Sequence, residues 1–225
     1  MKNYKIILLL FLTMVGQYVS AQVEVKKPKE AFELFFGTFV NNDEVALNKL
    51  NDYLRPTVEG QNAYQVNFKE TSDEMKKGTV ENFLAAFPKA AAAACKKEAE
   101  DYFTAMLENF KAGKLAIKEV KVVPNEYVEG DKIAEITYSV SFKVPSKLTP
   151  GPTGDIKKVK VEDLKKYLIQ AVQDFKNADK TVTTDQNFSL YELKEGGKIY
   201  YWNGSPDEIV TNLTDFYFGS FGTNE

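Results

Sequence analysis

The side chains best suited to hold a ligand are aromatic, and they are concentrated near residue 200. Tyr200, Tyr201 and Trp202 follow one another, and Tyr191 is placed to lie opposite them across a turn at Glu195-Gly196-Gly197. In a strand, alternation sends Tyr200 and Trp202 to one face and Tyr201 to the other. Such rings can bind a sugar or another flat molecule by stacking. Packing within a sheet, where aromatic residues are favoured, accounts for the same cluster.

Tyr138 is the second candidate, and it lies in the segment that alternates most clearly. A buried tyrosine hydroxyl needs a hydrogen-bond partner, so Tyr138 is a candidate donor in a pocket. The alternation predicts a strand with one face on the core and one face in water. The predicted inner face holds Ile136, Tyr138, Val140, Phe142 and Val144.

Several kinds of catalysis are excluded by composition, because the chain has no histidine and one cysteine, Cys95. Without histidine there is no Ser-His-Asp triad, no Cys-His dyad and no His-ligated zinc. Cys95 lies on an apolar helical stripe, which predicts a buried thiol. The paired acids Asp43-Glu44, Asp73-Glu74 and Asp207-Glu208 each stand at a helix start, where a carboxylate stabilises the helix dipole. We therefore predict no catalytic residue, no metal site and no cofactor.

The elements that position these residues begin with helices. Helical spacing of apolar residues predicts helices over 32–40, over 45–54 with a cap at Asn42 or Asp43, and over 89–111. Residues 57–70 are predicted to form a short strand or a loop. Thr71 and Glu74 fit a capping box, and Thr79 is a further predicted helix start.

The second half of the chain alternates in the manner of strands. Strands are predicted over 115–122 and 136–144 and in a hairpin of 188–193 with 198–202, and further helices over 161–177 and 205–218. Helices followed by antiparallel strands predict an α+β fold. We expect one α+β domain over residues 22–225, with the N-terminal helices packed on the sheet and extra helices between and after the hairpins.

Two stretches resemble the NTF2-like, or cystatin-like, superfamily. Residues 117–123 with 130–136 are similar to the first hairpin of secreted bacterial proteins of the DUF4878 type, and 190–202 are similar to their closing hairpin. The resemblance implies a cone in which the N-terminal helices fill the concave side of a curved antiparallel sheet. It also implies a pocket role for Tyr138 as a hydrogen-bond donor, by analogy with ketosteroid-isomerase-like members. Such an enzyme needs an Asp or Glu base, and no acid of the clear strands shares the apolar face beside Tyr138.

Residues 1–21 predict where the protein works. Two lysines in the first five residues precede an apolar run over 6–15, and Val19-Ser20-Ala21 suits signal peptidase. This order is typical of a bacterial signal peptide cleaved near Ala21. The apolar run is shorter than the roughly 20 residues of a membrane span. We therefore expect a periplasmic or secreted protein.

The net charge of −3 and the lack of a basic stripe argue against nucleic-acid binding. We expect a non-enzymatic binding protein whose partner is a small molecule or an envelope protein. Its candidate ligand-binding residues are Tyr138, Tyr200, Tyr201 and Trp202. The alternatives are a cone-pocket enzyme of the ketosteroid-isomerase-like type and a cell-envelope protein-interaction module.

Overall fold

The computed structural model describes residues 23–222, so the predicted signal peptide, the leader of residues 1–21, lies outside the described residues. Within that range a two-residue strand, β1 (Val23–Glu24), comes first. Five helices follow it, and then four longer strands with two further helices. Short 3-10 turns span Arg55–Val58 and Ile156–Lys158. The helices are α1 (Pro28–Phe39), α2 (Glu44–Leu54), α3 (Phe68–Leu84), α4 (Lys89–Ala94), α5 (Lys96–Lys111), α6 (Val161–Lys176) and α7 (Asp207–Gly222). The remaining strands are β2 (Lys114–Pro124), β3 (Lys132–Val144), β4 (Lys180–Glu195) and β5 (Lys198–Trp202).

The strands form one sheet in the order β1-β5-β4-β3-β2. Neighbours from β2 to β5 are antiparallel, and β1 is parallel to β5. The sheet is curved and does not close. The predicted turn between β4 and β5 is present, and Gly196 and Gly197 supply its positive φ angles of 56° and 73°. Glycine suits these positions because it has no Cβ to oppose a left-handed backbone.

Alternation along β3 buries its apolar side chains on one face, as the sequence predicts. Helices α1, α5 and α7 cover that face. The ring of Phe32 in α1 lies 4.8 Å from that of Tyr138, and Tyr217 in α7 lies 5.3 Å from Phe142. The predicted α+β fold, with N-terminal helices packed on a curved antiparallel sheet, is confirmed. The extra helices are also present, as α6 between β3 and β4 and as α7 after β5.

Helix α3 differs from the prediction, because it begins at Phe68 and continues without a break to Leu84. Asn67 caps it by accepting the Glu70 N–H at 3.1 Å, so Thr71 lies within the helix and not at its start. Thr79 is also interior, since its hydroxyl donates to the Met75 carbonyl at 2.9 Å. A hydroxyl that bonds back into its own helix leaves no helix start at that position.

The predicted helix over 89–111 is divided in two at Cys95, where φ is −108° and ψ is 13°. The Cys95 side chain is fully buried, and its thiol donates to the Val161 carbonyl at 3.6 Å. It belongs to a second, smaller core beside the sheet core. That core consists of Val80, Leu84, Ala91, Cys95, Ala99, Val159, Leu164 and Leu168.

Candidate functional site

Tyr138 lies in the sheet core and not on an open pocket. Only 1% of its surface is exposed. The ring of Phe32 lies 4.8 Å from the ring of Tyr138, and the ring of Phe188 lies 5.6 Å from that of Phe32. Burial raises the pKa of the Tyr138 phenol to about 12. Gln186 of β4 is its cross-strand partner, so no carboxylate stands at that position of the sheet. Its surroundings are those of a packing residue.

Tyr200 and Tyr201 are also buried, each with 3% of its surface exposed. The ring of Tyr53 in α2 lies 5.5 Å from that of Tyr200. The Tyr53 hydroxyl accepts the backbone N–H of Tyr201 at 2.6 Å. These contacts attach α2 to β5, so the two tyrosines serve to hold a helix against the sheet.

Trp202 lines a shallow groove of ≈ 300 Å³ together with Tyr191, its cross-strand partner in β4. The backbone at Gly204 passes close to the indole, since a Cβ there would lie 2.7 Å from its ring. Asn203 is used structurally, because its amide donates to the Ser189 carbonyl and accepts the Ser205 N–H, both at 2.7 Å. The groove thus offers one partly buried indole and one exposed phenol ring.

The structure does not bring the four predicted residues to one site. Tyr138 pairs with Gln186 of β4, and Trp202 pairs with Tyr191. At ~3.4 Å per residue those positions are about 17 Å apart along the strand. Alternation also places Gln186 and Tyr191 on opposite faces of the sheet. Tyr138 and Trp202 are therefore separated by both distance and face.

A different site lies among the helices: an apolar cavity of ≈ 480 Å³ between α3, α5 and α7, closed at one end by the last turn of α1. Phe103, Met106 and Phe110 of α5 form one wall, and Phe218 of α7 forms part of another. The volume is within the range of about 300–1,000 Å³ that is usual for small-molecule sites. Binding of an apolar ligand in such a cavity is favourable, because apolar surface of the ligand and of the cavity is removed from water.

The cavity exists because the N-terminal half of α3 is poorly provided with apolar side chains. The buried residues of α3 are Val80 and Leu84, both near its C-terminal end, where they join the second core. Towards its N-terminus the apolar side chains are Phe68 and Met75, and 54% of the Met75 surface is exposed. Two such side chains do not fill the space against α5, so a gap remains.

Polar groups stand at the edge of this cavity. The Lys111 Nζ, in the last turn of α5, donates to the Ser72 Oγ of α3 at 3.2 Å. Lys76 of α3 is paired with Asp73 at 3.3 Å. The amide of Asn41 donates to the carbonyls of Lys111 and Gly113 at 2.7 and 3.0 Å. These bonds hold the C-terminal end of α5 against the segment that follows α1.

A larger groove of ≈ 690 Å³ between α5 and α6 has a different character. Glu98, Asp101 and Glu108 are among its lining residues. Charged side chains retain water, so apolar molecules gain little by entering it. Among residues 23–222, no group of three or more His, Cys, Asp or Glu side chains is arranged to hold a metal ion.

Met106 and Phe110 lie in the predicted helix over 89–111, and both are buried, at 5% and 7% exposure. Their helical spacing alone does not indicate that they line a cavity. The signal that could have indicated the cavity is the isolated pair Phe68 and Met75 on the otherwise polar N-terminal half of α3.

No helix in the described part of the chain has both the length and the apolar character needed to cross a bilayer. Comparison of the chain with models of protein families, with curated proteins and with solved structures gave no match.

Proposed function

We propose that this protein is a non-enzymatic binding protein that holds a small, largely apolar molecule in the cavity between α3, α5 and α7. The observation that carries the proposal is the cavity itself, ≈ 480 Å³ of space with Phe103, Met106 and Phe110 along one wall. Met75 and Phe218 stand at its edge with 54% and 37% of their surfaces exposed. Exposed apolar side chains next to an apolar space are typical of an entrance for an apolar ligand.

The predicted leader at residues 1–21 supports a periplasmic or secreted location for this binding. The resemblance to NTF2-like proteins remains a prediction, and the binding site proposed here does not depend on it. The cavity lies among helices and not on the face of the sheet that holds Tyr138.

The ketosteroid-isomerase-like alternative receives less support. It requires an open pocket at Tyr138 with a carboxylate base beside it. Tyr138 instead contacts Phe32 and faces Gln186 across the strands. A glutamine side chain is a neutral amide that does not take up a proton near neutral pH, so it is not a general base.

The test is a fluorescence titration of the full chain with N-phenyl-1-naphthylamine, a neutral dye that brightens in apolar surroundings. Thr214 of α7 lines the cavity and is partly buried, so Thr214→Trp should fill the cavity. Thr211→Trp is the matched control, because Thr211 is exposed on the same helix and does not line the cavity. We expect saturable binding to the wild type and to Thr211→Trp, and affinity at least about tenfold weaker for Thr214→Trp.

Circular dichroism of each variant is the control that tests whether it is folded. Equal affinity of the dye for both tryptophan variants would contradict the proposed site. Absence of saturable binding to the wild type would leave the protein-interaction module as the better account.

A further inference from the structure

We infer that the ligand of the cavity carries an anionic group, which Lys111 and Ser72 bind at the cavity edge. This inference rests on the proposed function, because it names the class of ligand that the same cavity takes. The expected ligand is an amphiphile with an apolar body and one carboxylate or sulfonate head.

The first observation is the electrostatic state of Lys111. The ion pairs found within residues 23–222 do not include Lys111. Its Nζ is directed to a neutral hydroxyl, the Ser72 Oγ at 3.2 Å. Lys76, on the same edge, has Asp73 as its counter-ion at 3.3 Å. Among the described residues, the cavity edge therefore presents the Lys111 ammonium group without a paired carboxylate.

The second observation is that two kinds of donor converge there. An ammonium group has three N–H donors, of which the Ser72 oxygen takes one. The Ser72 hydroxyl accepts that bond, and its own hydrogen is left to donate. An anion placed between these groups receives a charge-assisted hydrogen bond from Lys111 and a second one from Ser72.

The third observation is the surroundings of Lys111. Its neighbour in the chain, Phe110, is buried and lines the cavity, as does Met106 one turn earlier. A partly buried ammonium beside an apolar surface attracts an anion more strongly than one in bulk water, because the local dielectric constant is lower. The apolar body and the charged head of an amphiphile are thus both accommodated.

The last turn of α5 also favours a cation because of the helix dipole. The test must therefore include a readout that helix stabilisation does not change. Selectivity between two probes of nearly equal shape meets this need: N-phenyl-1-naphthylamine is neutral, and 1-anilinonaphthalene-8-sulfonate is the same ring system with a sulfonate. A helix-stabilising role for Lys111 would affect both probes equally.

The experiment measures the dissociation constants of both probes for the full chain, for Lys111→Gln and for Lys77→Gln. Lys77 is an exposed lysine of α3 that does not line the cavity, so its variant is the matched control. We expect the wild type and Lys77→Gln to prefer the sulfonate probe. We expect Lys111→Gln to weaken sulfonate binding about tenfold or more and to leave neutral binding within about twofold. Added salt should weaken sulfonate binding only.

The outcomes separate the two proposals. If the wild type binds both probes equally, or if Lys111→Gln weakens both equally, the inference about the anionic group is overturned and the binding cavity stands. If neither probe binds the wild type, the proposed function fails and the inference fails with it.

Discussion

The ring of Phe110 lies almost parallel to the ring of Phe142, with 5.4 Å between their centroids and 10° between their planes. Phe142 belongs to β3, and Phe110 also lines the cavity. The α5 wall of the cavity is therefore anchored in the sheet core. The facing wall, the N-terminal half of α3, has Phe68 and Met75 as its large apolar side chains. The cavity has one firmly packed wall and one lightly packed wall.

A pair of glycine substitutions tests this description of the two walls. A Cβ at Gly113 would lie 2.6 Å from the Phe142 ring, so Gly113→Ala should disturb the stack and reduce the free energy of unfolding by about 1–3 kcal/mol. Gly78 is in α3 and a Cβ there meets nothing within 4 Å, so Gly78→Ala should increase stability by up to about 1 kcal/mol.

The measurement is urea denaturation followed by the fluorescence of Trp202, the one tryptophan of the chain. A Gly113→Ala variant as stable as the wild type would show that the Phe142 ring moves aside freely. Destabilisation by Gly78→Ala would show that the surface of α3 at Gly78 is in contact with other atoms and is not exposed to solvent.

Substitutions of Tyr138 separate packing from ligand binding. Because Tyr138 is 1% exposed and contacts Phe32, Tyr138→Ala should cost about 3–5 kcal/mol of stability. Tyr138→Phe keeps the ring, so it should change stability by no more than about 1.5 kcal/mol. It should leave the affinity for N-phenyl-1-naphthylamine unchanged, since Tyr138 does not line the cavity. A marked loss of probe affinity in Tyr138→Phe would indicate that the ligand binds at Tyr138 on the sheet and not in the cavity among the helices.

Buried tyrosines predict a loss of stability in alkali. The Tyr217 hydroxyl donates to the Met106 carbonyl at 3.0 Å, and burial raises the pKa of Tyr217 and of Tyr102 above the usual value. The folded chain keeps these protons at a pH at which the unfolded chain, with a tyrosine pKa of about 10, releases them. The contribution to stability is therefore complete below pH about 10 and decreases as the pH rises above it.

The urea midpoint should be nearly constant from pH about 8 to about 9.5 and should fall above pH about 10. Tyr217→Phe removes one of the groups, so its midpoint should fall less steeply in alkali, whatever its value at neutral pH. Equal slopes for the wild type and Tyr217→Phe would mean that Tyr217 ionises in the folded chain as readily as in the unfolded chain.

The fold could be predicted where the signal is local. The alternation over 136–144 and the cap at Asp43, which accepts the N–H groups of Val45 and Ala46, are both readable from short windows of sequence. The sequence does not determine the start of α3, because asparagine and threonine both suit a helix start, and only the folded chain selects Asn67 over Thr71 and Thr79.

The site could not be predicted in the same way. The cavity depends on how far α3 stands from α5, and that distance is set by Val80 and Leu84 packing in the second core. Met106 and Phe110 have the same spacing whether they face a filled core or a partly empty one. For Tyr138 and Trp202, aromatic character alone does not distinguish a packed ring from a binding ring.

The methionine methyl groups test the central claim most directly. The chain has four methionines, and of these Met75 and Met106 line the cavity from opposite walls. In the full chain labelled with ¹³C at the methionine methyl groups, titration with N-phenyl-1-naphthylamine should shift both signals, with the dissociation constant found by fluorescence. Saturable dye binding that leaves the Met75 and Met106 signals unmoved would contradict the account.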